Sequence, residues 1–297
     1  MTEAAVGVDV GGTKIAGAVI HPDGAVLGAQ TVATPGDGGD SSAAVTMALI
    51  DRLARRAAAE GLAIERAGVG VPEYVTPDGR IASAIVLPSL EALPAVSESG
   101  LGVLIDSDVR CAARAEARFG HGQGLDSFVF AVIGTGISSS LVIGGRLWAG
   151  HRGEAIALGE LGVDPELALL PAAALTVEEQ ASGRAIGEAV DAAARIAGDP
   201  REAARHRASI EARAGRIVAT ALSNAVQLLD PAAVILGGGL GTSGGEFSES
   251  LTRHYRELTS SRPEPPPLMQ ARLGPRAGVV GAGLLALEGR STDLLGA

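Results

Sequence analysis

Apolar positions along the chain fall into short runs cut by glycine. Val6 to Val10 is one such run; the turn "GGTK" ends it, "IAGAVI" returns as a second strand, and "HPDG" turns the chain into a third. The same order recurs in "FVFAVIGTGISSSLVIGGRLW", residues 128–148: strand, Gly-Thr-Gly turn, strand, glycine turn, strand. Helical periodicity lies between these units. "DSSAAVTMALIDRLARRAAAEG" predicts a helix with Asp40 and Ser41 as capping candidates, Val45, Leu49 and Leu53 on one face, and a stop at Gly61. "ASIEARAGRIVATALSNAVQLLD", residues 208–230, predicts another, with Ile210, Ala214, Ile217, Ala221 and Leu228 facing inward.

Two strand-turn-strand units, each followed by alternating helices and strands, predict a duplicated α/β architecture of two domains with a ligand cleft between them. "FGHGQG", residues 119–124, interrupts the pattern and sets the boundary. The expected division is a smaller N-terminal α/β domain, residues 1–119 with 277–297, and a larger C-terminal α/β domain, residues 120–276. The last helix, from Ala277, then returns to the first domain. "RPEPPP", residues 262–267, reads as a surface loop because a strand and a helix follow it.

Composition narrows the function classes. The chain has 297 residues, 46% of them hydrophobic, enough for one large core or two ordinary ones. Aromatics make up 2%, too few for base-stacking platforms, and a net charge of −10 disfavours a nucleic-acid partner. Cys111 is the single cysteine, so neither an internal disulfide nor a cysteine zinc cluster is expected, and a reducing, cytoplasmic setting fits. The first residues, "MTEAAVGVDV", lack the positive charge of a signal peptide, and the longest strongly apolar stretch, "LALLPAAAL" at 167–175, is too short to span a bilayer. No membrane association is expected.

Candidate chemistry sits at the turns. Glycines let backbone N–H groups approach a phosphate, and Thr13 and Lys14, the one lysine of the chain, add a donor and a charge. Asp9, just before that turn, is placed to hold magnesium through water. A plain hairpin accounts for "GGTK" on glycine preferences alone. A second turn at Gly134, Thr135 and Gly136, and a third cluster, "LGGGLG", after the strand "AAVIL", place three such anion or nucleotide sites on strand ends.

Six segments in order, "DVGGTK" at 9–14, "GTGI" at 134–137, "GELG" at 159–162, "ASGRAI" at 181–186, "DPAAVILGGGL" at 230–240 and "AGVVGAGLLA" at 277–286, make the chain resemble the ROK group of repressors, open reading frames and kinases. The resemblance implies the actin/hexokinase-like ATPase fold, two RNase H-like domains closing on ATP and a sugar. It places Asp9, Gly11, Gly12, Thr13 and Lys14, with Gly134, Thr135 and Gly136, around the phosphates, and Gly237, Gly238 and Gly239 beside the adenosine. It also implies a homodimer. "VLIDSDVRCAARAE" aligns Asp108 with the aspartate that takes a proton from the sugar hydroxyl, and a carboxylate suits a transfer that asks mostly for positioning. Asp106 is a rival two residues away, and Asp108 is also a candidate N-cap for a helix beginning at Val109.

Departures from the family pattern are concentrated around the acceptor. Val163 stands where most members have a zinc-binding His, and no cysteine follows, so no zinc is expected; the apolar interval reads as a segment that packs where a metal once tied it. Glu160 and Glu178 match acidic residues that bind sugar hydroxyls. Ser107 and Arg110 occupy the two asparagine positions flanking Asp108, and Val86 replaces a further Asn. The usual Pro-Gly has become Pro72-Glu73, which puts a carboxylate, available to an amine or simply solvated, and then Tyr74 near the substrate side.

A site that loses several hydroxyl-reading groups changes its substrate, so glucose is disfavoured against a modified sugar or cyclitol. The expected function is ATP-dependent phosphorylation of a small sugar, modified sugar or cyclitol with Asp108 as general base. The alternative is a non-catalytic ligand sensor or pseudokinase; with five residues before Val6, a DNA-binding domain is not expected. The sequence does not separate ATP from polyphosphate as donor.

Overall fold

The computed structural model describes residues 3–36, 41–163 and 175–289. In chain order the elements are β1 (Glu3–Val10), β2 (Lys14–Ile20), β3 (Val26–Ala33), α1 (Ser42–Ala59), β4 (Ala63–Val71), β5 (Gly102–Ser107) and α2 (Asp108–Phe119). Then come β6 (Phe128–Ile133), β7 (Ile137–Ile143), β8 (Arg146–Trp148), α3 (Val177–Ala181), α4 (Gly183–Ile196) and α5 (Pro200–Leu229). The series ends with β9 (Ala233–Gly237), α6 (Glu246–Thr259), β10 (Leu268–Gln270) and α7 (Ala277–Glu288). Two five-stranded sheets result, ordered β3-β2-β1-β4-β5 and β10-β9-β6-β7-β8. The chain divides into one unit of Met1–Asp126, Ser140–Ile156 and Pro275–Ala297 and another of Ser127–Ser139 and Ala157–Gly274.

In the first unit β1 pairs antiparallel with β2 and parallel with β4, and β4 pairs parallel with β5. Residues paired across the antiparallel ladder share a face, so Gly7 opposite Ala18 and Gly17 opposite Val8 lie on opposite faces of the sheet. A Cβ on Gly17 would press on Leu49 and Leu53 of α1, whereas one on Gly7 would overlap the Val279 carbonyl of α7. Both faces of β1 are thus covered, which is why its run from Ala4 to Val8 is apolar without alternation. Val6, Val8, Val10, Leu49, Leu53, Val69 and Val71 belong to the core on the α1 side.

The expected helix at 40–61 starts one step later than its first capping candidate. Ser41 Oγ accepts the Ala44 N–H at 3.1 Å, and Asp40 lies outside the described residues. Gly61, at φ +77°, ends it, and the Leu62 N–H returns to the Ala57 carbonyl at 3.0 Å.

The second unit is built on β6 and β9, which pair in parallel, with α5 packed on α4 and α6. Helix α5 is longer than its apolar stripe predicts. Asp199 accepts the N–H groups of Arg201 at 2.7 Å and Glu202 at 2.9 Å, and Pro200 occupies the first turn. Leu228 was expected inward and is exposed. The buried stripe advances in steps of four through Ala214, Val218, Leu222 and Val226, and two residues beyond Val226 is more than half a turn away.

Helix α7 meets its neighbours backbone to backbone. A Cβ on Gly68 would overlap the Ala282 carbonyl, and one on Gly281 would overlap that of Cys111 in α2. Gly68→Ala and Gly281→Ala are therefore each expected to lower unfolding free energy by about 1–3 kcal/mol or more. Gly187 in α4 has open space around it, and Gly187→Ala should stabilise by about 0.5–1 kcal/mol. Urea midpoints of the three variants against the parent check both signs.

Candidate active site

In the first unit, parallel pairing sets the carboxyl ends of β1, β4 and β5 at one sheet edge. Asp9 is in register with Gly70, and Gly70 with Asp106. One residue past β5, Asp108 opens α2, with Ser107 at the N-cap position. The expected capping role therefore falls differently: Asp108 is the first helical residue, and its Oδ1 accepts the Val109 N–H at 2.6 Å. Ser107 is buried, and its hydroxyl beside the Asp108 carboxyl favours the ionised form. Gly70 lets β4 approach, since a Cβ there would lie 3.2 Å from Asp108 Cα.

Asp9 and Asp108 keep a partial opening to solvent, yet most of their surroundings is protein. Burial raises the Asp9 carboxyl to about 6, with Lys14 pulling the other way. Asp108 is raised to about 7, first by burial and then by the charge of Asp9, against the Val109 N–H and Arg110. Asp9 is backed by the first turn of α7, where a Cβ on Gly278 would stand 2.5 Å from its Oδ2. Asp106 is tied instead: its Oδ1 accepts from Arg110 Nε at 2.6 Å and from the Ser107 N–H at 2.8 Å. Of the two rival carboxylates, Asp108 is the one without a cation clamped on it.

The first glycine turn is a tight link between β1 and β2. The Gly11 N–H donates to the Lys14 carbonyl at 2.9 Å, and Thr34 braces it, its Oγ1 donating to the Gly11 carbonyl at 2.6 Å and its N–H to the Thr13 carbonyl at 3.1 Å. Gly12, Thr13 and Lys14 are exposed, and nothing lies within 4 Å of a Cβ on Gly12.

In the second unit the other two turns follow neighbouring parallel strands, β6 and β9, with Val132 opposite Gly237. Gly134 donates to the Gly136 carbonyl at 2.9 Å, and the Gly134 carbonyl receives the Gly183 N–H at 2.8 Å, which brings the start of α4 against this turn. Thr135 is met by the Arg184 N–H at 3.4 Å. Gly238 needs its φ of +79°, and a Cβ there would overlap the Ile133 carbonyl, which also receives the N–H groups of Leu240 and Gly241. Gly239 is open. Glu178 accepts the Ile137 N–H at 2.6 Å and stands 3.5 Å from Arg184, while Glu160 ends a short 3-10 turn (Leu158–Glu160) with its side chain exposed.

Two residues expected near the acceptor are otherwise engaged. Glu73 is buried, and its carboxylate accepts three backbone N–H groups, so it is neither solvated nor held free for an amine. Arg110 is buried as well, bonded to Asp106, to the Gly153 carbonyl at 3.0 Å and to the Val75 carbonyl at 2.6 Å. Residues the sequence did not single out are Thr34, Gly70, Gly183 and Gly278, which brace functional groups; Gly183 and Gly278 lie in "ASGRAI" and "AGVVGAGLLA", so those segments carried their signal.

Around Val163, where the resemblance implied a zinc ligand in other members, Val163 donates to the Leu175 carbonyl at 2.7 Å, Val177 to that of Leu161 at 2.9 Å, and Gly162 bridges Thr176. Residues 164–174, where an apolar packing segment was expected, lie outside the described residues. Among the described residues no group of three or more His, Cys, Asp or Glu could hold a metal, and no helix is long and apolar enough to cross a membrane.

Two five-stranded sheets with glycine turns at the carboxyl ends of their parallel strands give the chain the actin/hexokinase-like ATPase fold of the solved ROK hexokinases. The chain belongs to the ROK family, whose model matches residues 5–289. A glucokinase of Streptomyces coelicolor is 30% identical, with 95% of this chain and 97% of that protein aligned. The crystal structure of the ROK hexokinase from Thermus thermophilus superposes with a TM-score of 0.76 at 32% identity, covering 96% of this chain and 99% of that one. That of a ROK family glucokinase from Streptomyces griseus, in complex with glucose and AMPPNP, gives 0.74 at 28% identity, covering 96% and 100%.

Two outcomes follow. Because the folded-state values of Asp9 and Asp108 lie above the ordinary 3.8, the folded chain binds more protons than the unfolded one between about 4 and 7, and stability falls as pH rises through that window. Asp108→Asn should therefore exceed the parent in stability at pH 8 and match it near pH 4; denaturation curves at the two pH values read the difference, and a destabilised variant at pH 8 would contradict it. Purified protein should carry no stoichiometric zinc, and chelators should leave its melting temperature unchanged, by metal analysis and thermal scans.

Proposed function

We propose that this protein is a sugar kinase, transferring the γ-phosphoryl group of ATP to a hydroxyl of a small sugar or modified sugar, with Asp108 as general base. The observation that carries this is Asp108 itself: it opens a helix at the carboxyl edge of a parallel sheet, is raised to about 7, and lacks the arginine clamp that holds Asp106. A carboxylate with that value is about half ionised at neutral pH and basic enough in that form to receive a hydroxyl proton. The acceptor oxygen then attacks the γ-phosphorus as the bond to the β-phosphate oxygen breaks, ADP leaves, and the proton rests on Asp108.

The glycine turns supply the donor side. The turn at Gly11 to Lys14, closed by the Gly11 N–H and leaving Gly12, Thr13 and the charge of Lys14 exposed, and the turn at Gly134 to Gly136 are assigned to the phosphates; Gly239, in open space on a turn that Gly237 and Gly238 pack against Phe130 and Ile133, is assigned to the adenosine side. Magnesium fits beside Asp9, where a cation would relieve the repulsion between two buried carboxylates, and one carboxylate plus nucleotide phosphates and waters is an ordinary magnesium environment. Bound there, the ion would neutralise charge on the transferring group. Glu160 and Glu178 are assigned to the acceptor; the bond from Ile137 to Glu178 keeps one of its oxygens on the Gly-Thr-Gly turn.

The likeness to sugar kinases over nearly the whole chain supports this reading, and a non-catalytic sensor has no comparable support. A homodimer and a cytoplasmic setting complete the proposal without entering the chemistry.

Asp108→Asn should bind ATP with an affinity within about twofold of the parent while losing on the order of a hundredfold or more in kcat. Coupled-assay kinetics over a panel of sugars and cyclitols, with nucleotide titration, checks both. Turnover at the parent's rate would remove the base assignment.

A further inference from the structure

β4 ends at Val71, in register with Ser107 of β5, so the segment after it leaves the sheet at the edge that carries Asp108. Two residues on, Glu73 is buried. A buried carboxylate needs donors, and this one takes them from three consecutive residues. Oε2 accepts the Ile85 N–H at 2.9 Å, and Oε1 accepts those of Val86 at 2.8 Å and Leu87 at 2.7 Å. The backbone of 85–87 is thereby turned inward on Glu73, and the Ile85 and Val86 side chains stand 77% and 53% exposed.

The rest of the segment is anchored too. The Ala82 N–H reaches the Tyr74 carbonyl at 2.7 Å, Val75 bridges Ile81, and Arg110 holds the Val75 carbonyl. A loop fixed along its length shows a ligand a preformed surface, which lowers the ordering cost of binding. Here that surface is two adjacent apolar side chains on a backbone bonded to Glu73, two residues past the end of β4.

We propose that Glu73 is a positioning residue for the acceptor, holding residues 85–87 as an apolar wall, and that the acceptor is a sugar bearing an apolar substituent that packs on Ile85 and Val86. The inference rests on the sugar-kinase reading. It accounts for the Gly-to-Glu and Asn-to-Val departures together: the carboxylate fixes the loop, and the loop presents hydrocarbon where a hydroxyl-reading amide would stand.

The test combines backbone-amide hydrogen exchange with steady-state kinetics on the parent, Glu73→Ala, Glu73→Gln and the double variant Ile85→Ser/Val86→Ser, using glucose and phenyl glucosides of both anomers as acceptors. The parent should favour at least one phenyl glucoside over glucose by about tenfold or more in kcat/KM, the scale of one buried apolar contact. Glu73→Ala should speed exchange at 85–87 and raise the acceptor KM about tenfold, with kcat and the KM for ATP within about twofold.

Glu73→Gln keeps one carbonyl oxygen for Val86 and Leu87 and should fall between. The double variant, altered only at exposed side chains, should fold like the parent and lose the preference. Unchanged acceptor KM in the Glu73 variants, a parent that favours glucose, or a double variant that changes only self-association would each overturn the inference while leaving the kinase reading intact. If no sugar is phosphorylated, the kinase reading fails and the acceptor role with it, whereas the exchange result still reports whether Glu73 holds the loop.

Discussion

Helix α7 lies so close to β1, β4 and α2 that only glycine fits at the contacts, and both aspartates of the candidate site take their positions from that approach. Gly7 and Gly68 admit the α7 backbone to the sheet, Gly281 admits it to α2 at Cys111, and Gly278 leaves room for the Asp9 carboxylate against the first turn of α7. Cys111 is three residues beyond Asp108 on α2, so the contact that seats α7 also fixes the start of the helix that presents Asp108. Close packing of this kind transmits small displacements with little loss. The result is two like charges held in a poorly solvated recess, each carboxyl raised above its ordinary range.

Much of this was legible from residue patterns. The hairpins around Gly11 to Lys14 and Gly134 to Gly136 were marked by glycine between apolar runs, and Ser41 and Gly61 marked α1, because turn and cap chemistry is local. Asp108 was legible through its place after an apolar run and its likeness to a family motif. What pattern could not reveal were partners distant in sequence. Glu73 looked like a free loop carboxylate because its donors lie 12 to 14 residues away. Arg110 looked available because its carbonyl partners lie 35 and 43 residues away. Leu228 was misplaced for a different reason: the buried stripe runs in steps of four through Ala214, Val218, Leu222 and Val226, and Leu228 lies more than half a turn from it.

The departures from the family pattern acquire a common physical sense in the fold. Positions expected to read sugar hydroxyls carry side chains that bind the protein's own backbone: Glu73 closes on residues 85–87, and Arg110 joins Asp106 to the carbonyls of Val75 and Gly153. A buried arginine bonded to a carboxylate and two carbonyls is satisfied only in that geometry, which favours one arrangement of the loops. Arg110 also occupies Asp106, so of the two carboxylates Asp108 is the one we propose as base.

The central claim is that Asp108 is a desolvated carboxylate raised by its neighbour Asp9 and so tuned to act as a base near neutral pH. The measurement that tests it most directly is a carbon-13 NMR titration of the Asp108 carboxyl in the parent and in Asp9→Asn. The account predicts a midpoint near 7 in the parent, falling when the Asp9 charge is removed. A midpoint near the ordinary 3.8 in both proteins would contradict it.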